Sequence, residues 1–315
     1  MVEGTRRPTF AEVDLDAVAH NSAVMAGVVA PARLCAVVKA DAYGHGAPAC
    51  AAAALEGGAS ELAVALVEEG VELREAGIAA PVLVLSEPGP DAMAEAFVHG
   101  LTPTLYTASG VAAARRAARS QAAPGRTSPG PTAPGRTPGR WRVEVKLDTG
   151  MHRVGASPHE LARLVSAVVA SDELSFAGLW THLAVADEPD DPFTKVQLDT
   201  LAAARRGLLD AGLPAPGRVH AANSAGGIAW PESRLDLVRC GIAIYGYAPS
   251  ASVAPLLAGH RLWPALSFKS RVGFVRRLPA GERLSYGLAR ELPGECFVAT
   301  VPAGYADGIT RAYFD

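Results

Sequence analysis

The chain has 315 residues, of which 49% are hydrophobic and 19% charged, a balance typical of a globular protein with one large domain and a smaller one. Its formal net charge of −3 gives no electrostatic case for binding nucleic acid or an anionic membrane. Because no apolar run approaches the roughly 18 residues of a membrane span, and the N-terminal stretch MVEGTRRPTF lacks the apolar core of a signal peptide, we expect a cytoplasmic protein.

Short apolar runs alternate with stretches of helical length along most of the chain. The runs predicted as strands are LCAVVKA, ELAVAL, PVLVLSE, LTPTLY, WRVEVKL, LSFAGLWTHLA, RVHAANS and LDLVRCGIAIYG. The predicted helices are 47–56, 67–76, 90–98, 107–119, 157–170 and 192–211, with a short one in AGGIAWPESR. Strands that alternate with helices predict a parallel sheet, and eight such units predict a (β/α)8 TIM-type barrel. An open doubly wound sheet is the alternative, against which no GxGxxG follows the first strand.

Two segments depart from this alternation. Residues 120–140, SQAAPGRTSPGPTAPGRTPGR, are rich in Pro, Gly, Ser, Thr and Arg, which predicts a disordered insertion within the barrel domain. After residue 246, short alternating runs are broken by PAGE and PGE, which predicts a small, mainly antiparallel β domain. We therefore expect a barrel domain over 1–247 and a partial β domain over 248–315.

The four cysteines give no sign of a metal site. Cys35, Cys50, Cys240 and Cys296 are scattered and form no CxxC pair. Reduced thiols in a cytoplasmic protein are the expected state, and we expect no bound metal.

Polar residues follow several predicted strands, at the barrel face where reactive groups of this fold lie. They are Lys39, Lys146 with Asp148, His182, Asn223 with Ser224, and Arg239. The turns after strands seven and eight, NSAGG (223–227) and CGIA (240–243), are short and contain glycine, so their backbone amides can approach an anion. A phosphate site together with a lysine at a strand mouth suggests pyridoxal phosphate, whose aldehyde bonds to a lysine amine.

Seven stretches resemble the motifs of alanine racemases, in the order that this family has them. They are AVVKADAYGHG, KLDTGMHRVG, WTHLAVADE, HAANSAG, VRCGIAIYG, LSYG and VPAGYADGITR. The family combines a (β/α)8 barrel with a β domain, called fold type III, and acts as a homodimer with pyridoxal phosphate. The resemblance therefore implies interconversion of L-alanine and D-alanine by a two-base mechanism, which supplies D-alanine for peptidoglycan.

The resemblance also implies how the cofactor is held. Lys39 is the lysine that forms the Schiff base. The residues expected around the phosphate are Tyr43, Asn223, Ser224, Gly241 and Ile242. Arg239 is expected to face the pyridine nitrogen, with His182 beside it.

For catalysis, the resemblance implies two bases on opposite faces of the substrate. Lys39 serves the face that gives D-alanine, and Tyr286 serves the L face in the partner's site. Arg153 binds the substrate carboxylate, and Lys146 matches a lysine that is carbamylated in some members. The residues expected to line the substrate entrance are Tyr305 and Arg311.

The chain departs from the family's pattern at two points. His152 stands where GMGR is common, a change that we expect to be harmless on a turn. The chain ends at Asp315, before a CMDQ-type segment of the family, so we expect a C-terminally truncated form whose activity and oligomeric state are open.

Other functions remain open from the sequence. A racemase for another amino acid is one, and a cofactor-binding but catalytically impaired fragment is another. A fold-type-III decarboxylase would carry an acidic residue in place of Arg239. A pyridoxal-phosphate carrier protein would lack the β domain and Tyr286.

Overall fold

The computed structural model describes residues 7–121, 136–137 and 139–313, which form two compact units. The first unit is Asp14–Ala265, and the second joins the residues before Asp14 to those from Leu266 onward. Residues 248–265 lie in the first unit, and the domain boundary expected after residue 247 stays a prediction. Most of the predicted insertion at 120–140 lies outside the described residues. No helix in the described part of the chain is both long and apolar enough to cross a membrane.

The strands and helices are numbered in chain order. The strands are β1 Phe10–Val13, β2 Arg33–Val37, β3 Glu61–Val64, β4 Val82–Val84, β5 Thr102–Leu105, β6 Arg136–Thr137, β7 Arg140–Lys146, β8 Leu174–Trp180, β9 Val219–His220, β10 Leu237–Cys240, β11 Leu266–Lys269, β12 Phe274–Leu278, β13 Arg283–Leu284, β14 Arg290–Glu291 and β15 Cys296–Thr300. The helices are α1 Leu15–Val29, α2 Lys39–Gly44, α3 Ala47–Glu56, α4 Val67–Glu75, α5 Pro90–Val98, α6 Ala108–Gln121, α7 Pro158–Val169, α8 Phe193–Asp210 and α9 Ser224–Ala229.

Eight parallel strands form a nearly closed barrel in the order β2-β3-β4-β5-β7-β8-β9-β10, and β10 pairs with β2. Backbone hydrogen bonds join β9 and β10: the amide of Asp236 donates to the carbonyl of Val219 at 3.1 Å, and that of Arg239 to Ala222 at 3.0 Å. The predicted (β/α)8 barrel is confirmed, and the open doubly wound sheet was the wrong alternative. One face of the barrel therefore collects the carboxyl ends of all eight strands.

The barrel interior is packed with small and branched side chains. Cys35, Val37, Ala63, Leu83 and Leu237 form a buried cluster inside it. These residues come from neighbouring strands whose side chains alternate between the barrel interior and the helical layer. The apolar cluster leaves the strand ends free to carry polar groups.

The outer helices follow the predicted pattern closely, and α3 and α5 have the predicted bounds. The sequence analysis did not predict α1, which begins after Asp14, whose carboxylate accepts the amide of Ala17 at 3.0 Å. The last predicted strand was too long, because β10 ends at Cys240 and a 3-10 helix occupies Ile242–Tyr245. The backbone of Gly241, at φ −105° and ψ −92°, turns the chain out of the strand there.

The second unit is built from short antiparallel pairs. β1 pairs with β11, β12 with β15, and β13 with β14. Arg7 fastens the N-terminal strand to the distal end of this unit by donating to both carboxylate oxygens of Asp307, at 2.7 and 2.6 Å. The predicted small antiparallel β structure is confirmed.

Candidate active site

A cavity of about 530 Å³ opens at the carboxyl ends of the barrel strands. Ten residues singled out from the sequence line it: Lys39, Tyr43, Lys146, Arg153, His182, Asn223, Ser224, Arg239, Gly241 and Ile242. They come from distant parts of the chain, and the barrel brings them together. Within the described residues, no group of three or more His, Cys, Asp or Glu side chains is placed to hold a metal ion.

Lys39 stands at the cavity mouth, where β2 ends and a left-handed helical turn begins. The next four residues all have positive φ, from 51° at Ala40 to 57° at Tyr43, and none of them is glycine. For L-amino acids this conformation costs roughly 1–2 kcal/mol per residue. It therefore persists only because contacts outside the turn hold it.

Two carboxylates supply such contacts. Glu69, near the start of α4, accepts the amide of Ala40 at 2.6 Å with one oxygen and the amide of Ala65 at 2.7 Å with the other. Asp41 accepts the amide of Ala47 at 2.7 Å, where α3 begins. The turn is thus fastened to the loop after β3 and to the next helix, and the direction of the Lys39 side chain depends on both.

The turn carries Tyr43 to the wall formed by the loop after β10. A Cβ atom added at Gly241 would lie 2.5 Å from the Tyr43 hydroxyl, so only glycine leaves room for this approach. The Tyr43 ring packs against Tyr245 at a centroid distance of 5.1 Å. Tyr245 in turn donates its hydroxyl to the carbonyl of Val37 at 2.9 Å. Burial raises the pKa of Tyr43, so its hydroxyl stays protonated and can donate to an anion.

Ser224 lies beside this wall, at the first residue of α9. Its hydroxyl oxygen accepts the amide of Gly241 at 3.0 Å, which joins the two glycine-bearing turns. Asn223 caps the helix by accepting the amide of Gly226 at 2.9 Å. Ile242 opens the following 3-10 helix, and the first amides of a helix have no partner within it. Hydroxyl and amide donors therefore meet at one end of the cavity, an arrangement that suits a phosphate group.

Arg239 forms the floor of the cavity and is only 3% exposed. One terminal nitrogen donates to the carbonyls of Thr181 and Ala221, at 2.7 and 2.9 Å. The other donates to Nδ1 of His220, and the Nδ1 atom of His182 lies 3.3 Å from the first. Burial lowers the pKa of Arg239 to about 10, so the guanidinium remains charged at neutral pH. The Arg239 side chain is thus held in one orientation.

Further positive charge surrounds the cavity. Lys146 is 3% exposed, and its ammonium lies over the Trp180 ring. Burial, with Arg153 and Arg239 nearby, lowers the pKa of Lys146 to about 8. Burial and then Arg239 hold the pKa of His182 well below its usual value, so the imidazole is neutral. The cavity is therefore suited to an anionic ligand.

The turn that carries Arg153 differs from the glycine-containing pattern at His152. The φ of His152 is 55°, in the left-handed region that favours glycine. Asp148 compensates in part, because it accepts the amides of Gly150 and His152 and contacts the His152 imidazole at 3.1 Å.

The other three predicted site residues belong to the second unit. Tyr286 begins a 3-10 turn after β13 and is 82% exposed, and Tyr305 begins another. Arg311 lies near the first of these turns, with a guanidinium nitrogen 3.6 Å from the place of a Cβ on Gly287. Within their own unit, Tyr286 and Arg311 are thus neighbours.

The sequence analysis did not single out several residues that lie next to the cavity-lining side chains. Trp180 lines the cavity, with the Lys146 ammonium 4.7 Å and the Arg239 guanidinium 4.6 Å from its ring centroid. Glu144 precedes Lys146 by two residues on β7, a spacing that places both side chains on the same face. That spacing was the available signal for Glu144, whereas nothing local identified Glu69.

Comparisons with known proteins agree on one family. The family described as "Alanine racemase, N-terminal domain" matches residues 13–249, and the family described as "Alanine racemase, C-terminal domain" matches residues 265–315. The alanine racemase of Symbiobacterium thermophilum is 44% identical over 307 residues, which are 97% of this chain and 76% of that protein. Alanine racemase 2 of Bacillus subtilis is 37% identical over 97% of this chain and 74% of its own length.

Solved structures give the same picture. The alanine racemase of Streptomyces lavendulae superposes with a TM-score of 0.84 at 37% identity, over 98% of this chain and 77% of that one. A histidine racemase from Leuconostoc mesenteroides superposes with a TM-score of 0.78 at 29% identity, over 97% and 77% of the two chains.

Proposed function

The chain belongs to the alanine racemase family and is an isomerase of amino acids, and on that premise we propose that it interconverts L-alanine and D-alanine with pyridoxal phosphate held in the barrel cavity. The proposal includes the homodimer of the family, in which Tyr286 serves the partner's cavity. It also includes a cytoplasmic location and the supply of D-alanine for peptidoglycan.

The residues of the cavity fit this cofactor. The space between Tyr43 and Gly241, which a Cβ would fill, lies beside the Ser224 hydroxyl and the first amide of a helix. Phosphate oxygens accept hydrogen bonds from such donors. Lys39 stands at the other wall with its amine available to the aldehyde. When bound, pyridoxal phosphate draws electrons from the Cα atom of an amino acid and makes its α-hydrogen acidic.

Two residues of the chain then move the proton. Lys39 takes or returns the α-proton on the face that gives D-alanine, and Tyr286 does so on the opposite face. Arg153 binds the substrate carboxylate and so orients the Cα–H bond between the two bases. A tyrosine oxygen acts as a base only where positive charge favours the phenolate. The cationic lining of the cavity, Arg239 above all, supplies such a field to a tyrosine that reaches it.

Arg239 favours a racemase over a decarboxylase of the same fold. A guanidinium only donates hydrogen bonds, so Arg239 would face a pyridine nitrogen that carries no proton. The carbonyls of Thr181 and Ala221 hold Arg239 in place, and its burial keeps water from substituting for it. By keeping that nitrogen unprotonated, Arg239 would limit the electron withdrawal that the cofactor supplies and so disfavour side reactions.

Lys146 has the properties of a lysine that reacts with carbon dioxide. Its amine is buried, and a pKa of about 8 gives it a larger neutral fraction than an exposed lysine has. A carbamate there would carry negative charge beside Arg153 and Arg239, the groups that lower the lysine's pKa. We propose that this carbamate positions Arg153.

The observation that carries the proposal is the meeting of Lys39, Arg239 and the Tyr43–Ser224–Gly241 cradle around one cavity. The test is borohydride reduction of the cofactor-loaded protein, followed by peptide mapping and an assay of D-alanine formed from L-alanine. We expect the reduced pyridoxyl group on Lys39. In Lys39→Ala, both this label and the racemase activity should be lost. Lys195→Ala, on the exposed face of α8, is the matched control and should change neither. A label on Lys146, or no D-alanine from the wild-type chain, would show the proposal to be wrong.

A second candidate is racemisation of another amino acid. The structural match to a histidine racemase favours keeping it, since the same fold accepts a larger side chain there. A panel of L-amino acids, each followed by chiral chromatography, separates the two. Turnover of alanine at least tenfold faster than that of any other substrate supports the first candidate.

A further inference from the structure

A hydrogen-bonded network of buried polar side chains extends from the cavity floor into the barrel. In order from the cavity, its members are Arg239, His220, Glu144, Arg218 and Glu61. Each is at most 6% exposed. Charged side chains almost never lie so deep without partners, because the loss of hydration is costly.

Arg218 links the two carboxylates at the far end. Its Nη1 atom donates to both oxygens of Glu61, at 2.6 and 2.5 Å, and its Nε atom donates to Oε1 of Glu144 at 2.5 Å. The other oxygen of Glu144 lies 2.8 Å from Nε2 of His220. Glu144 therefore has one oxygen engaged by an arginine and the other by a histidine.

The donor pattern fixes the tautomer of His220. A guanidinium has only donors, so Nδ1 of His220 must accept from Arg239. The proton of the neutral imidazole is then on Nε2, which donates to Glu144. The ring also stacks on Trp180, at a centroid distance of 5.6 Å and an interplanar angle of 9°, so both nitrogens keep their directions.

The charges of the side chains in this network balance. Burial alone would raise the pKa of Glu144, but the attraction of His220 and Arg218 outweighs it and lowers the pKa to about 2. Burial lowers the pKa of His220 to about 4, despite the neighbouring carboxylate, so the ring is neutral. The two carboxylates of Glu144 and Glu61 and the two guanidinium groups of Arg239 and Arg218 therefore carry equal and opposite charge, and the imidazole between Arg239 and Glu144 is neutral.

We propose that Glu144 is a positioning residue for the racemase reaction, which acts through His220 to fix the orientation of Arg239, and that Arg218 with Glu61 holds Glu144 in place. The part that concerns the reaction rests on the proposed function. The part that concerns the tautomer of His220 rests on the geometry alone.

The alternative is that Glu144 belongs to a buried ion pair with no influence on Arg239. The variant Glu144→Gln distinguishes this structural role from the positioning role. The single amide oxygen of glutamine cannot accept from both Arg218 and His220. If the oxygen stays with the charged Arg218, the amide nitrogen donates to Nε2 of His220. The imidazole proton must then move to Nδ1, where it opposes the N–H groups of Arg239.

The first measurement is therefore nitrogen NMR of histidine-labelled holoenzyme. We expect the proton of His220 on Nε2 in the wild type and on Nδ1 in Glu144→Gln. A wild-type proton on Nδ1 overturns the proposal without any variant. An unchanged tautomer in Glu144→Gln overturns it as well.

The second measurement is kinetic. Glu144→Gln should lower kcat by roughly tenfold to a hundredfold, the loss that follows when the carboxylate partner of a metal-bound histidine is removed, and leave KM within about twofold. In a His220→Gln background the same substitution should have no further effect on kcat, because the link to Arg239 is already broken. Equal effects in both backgrounds would mean that Glu144 does not act through His220.

Glu160→Gln is the matched control, since it removes one exposed carboxylate at the start of α7 and should change neither readout. If Glu144→Gln does not fold, Glu144→Asp keeps the charge and should keep the wild-type tautomer. Failure of the proposed function shows as no D-alanine from the wild type. Failure of this inference shows as wild-type activity together with an unchanged tautomer in Glu144→Gln.

Discussion

Replacement of Gly241 by alanine should weaken cofactor binding without unfolding the protein. The added Cβ would lie 2.5 Å from the Tyr43 hydroxyl and 3.2 Å from the ring carbon that bears it. Ordinary contacts begin near 3.5 Å, so the tip of Tyr43 must retreat by about 1 Å. It has room to do so, because Tyr43 is 38% exposed.

If phosphate binds as we propose, this retreat would take the Tyr43 hydroxyl away from it. A hydroxyl hydrogen bond of normal length does not survive a shift of about 1 Å. A hydrogen bond to a charged group contributes about 1.5–3 kcal/mol, which corresponds to a rise in Kd of roughly 10- to 150-fold. The free energy of unfolding should change by less than about 1 kcal/mol, since the side chain that yields is partly exposed.

Cofactor titration followed by absorbance measures Kd, and thermal unfolding without cofactor measures stability. Gly27→Ala is the matched control, because a Cβ at this exposed position in α1 meets nothing within 4 Å. It should leave Kd unchanged. Tyr43→Phe should weaken binding by a similar factor, and adding Gly241→Ala to it should cost little more. An unchanged Kd in Gly241→Ala would refute the role of the Tyr43–Gly241 contact.

Three further predictions concern the other face of the reaction and the groups that support the cavity. Tyr286→Phe should slow removal of the α-hydrogen from L-alanine by about 100-fold or more, and from D-alanine far less, in single-turnover deuterium exchange; equal losses would argue against two bases. The pKa of Lys146, about 8 when folded against about 10.4 when unfolded, means that the unfolded chain binds more protons between these values. The free energy of unfolding, measured by urea denaturation in buffer free of carbon dioxide, should therefore rise with pH across this window relative to Lys146→Met, and a constant difference would contradict the lowered pKa. Glu69→Ala removes the acceptor of the Ala40 and Ala65 amides and should lower the free energy of unfolding by about 1–2 kcal/mol, the value of a lost helix cap. An unchanged free energy of unfolding would mean that the left-handed turn does not depend on Glu69.

Local patterns in the sequence were sufficient for the barrel and for most of its helices. The bounds of α3 and α5 were predicted residue for residue, because hydrophobic periodicity and flanking glycine or proline are local signals. The long predicted strand that ends at Gly246 shows the limit. Apolar residues continue past Cys240, and only the backbone at Gly241 turns the chain into a 3-10 helix.

The motifs in the sequence named ten residues that line the cavity, but they did not show how these are held. The turn Ala40–Tyr43 is left-handed although it contains no glycine, so local propensity opposes it. A carboxylate 29 residues away, on Glu69, accepts its first amide and makes the conformation tolerable.

The tertiary structure also decided which charges lie together. Glu144 and His220 are 76 residues apart, and no spacing in the sequence relates them. They meet because β7 and β9 both pair with β8 and direct alternate side chains into the barrel. Periodicity along a strand predicts that a side chain faces inward, but the closure of the sheet determines which other side chain it contacts there.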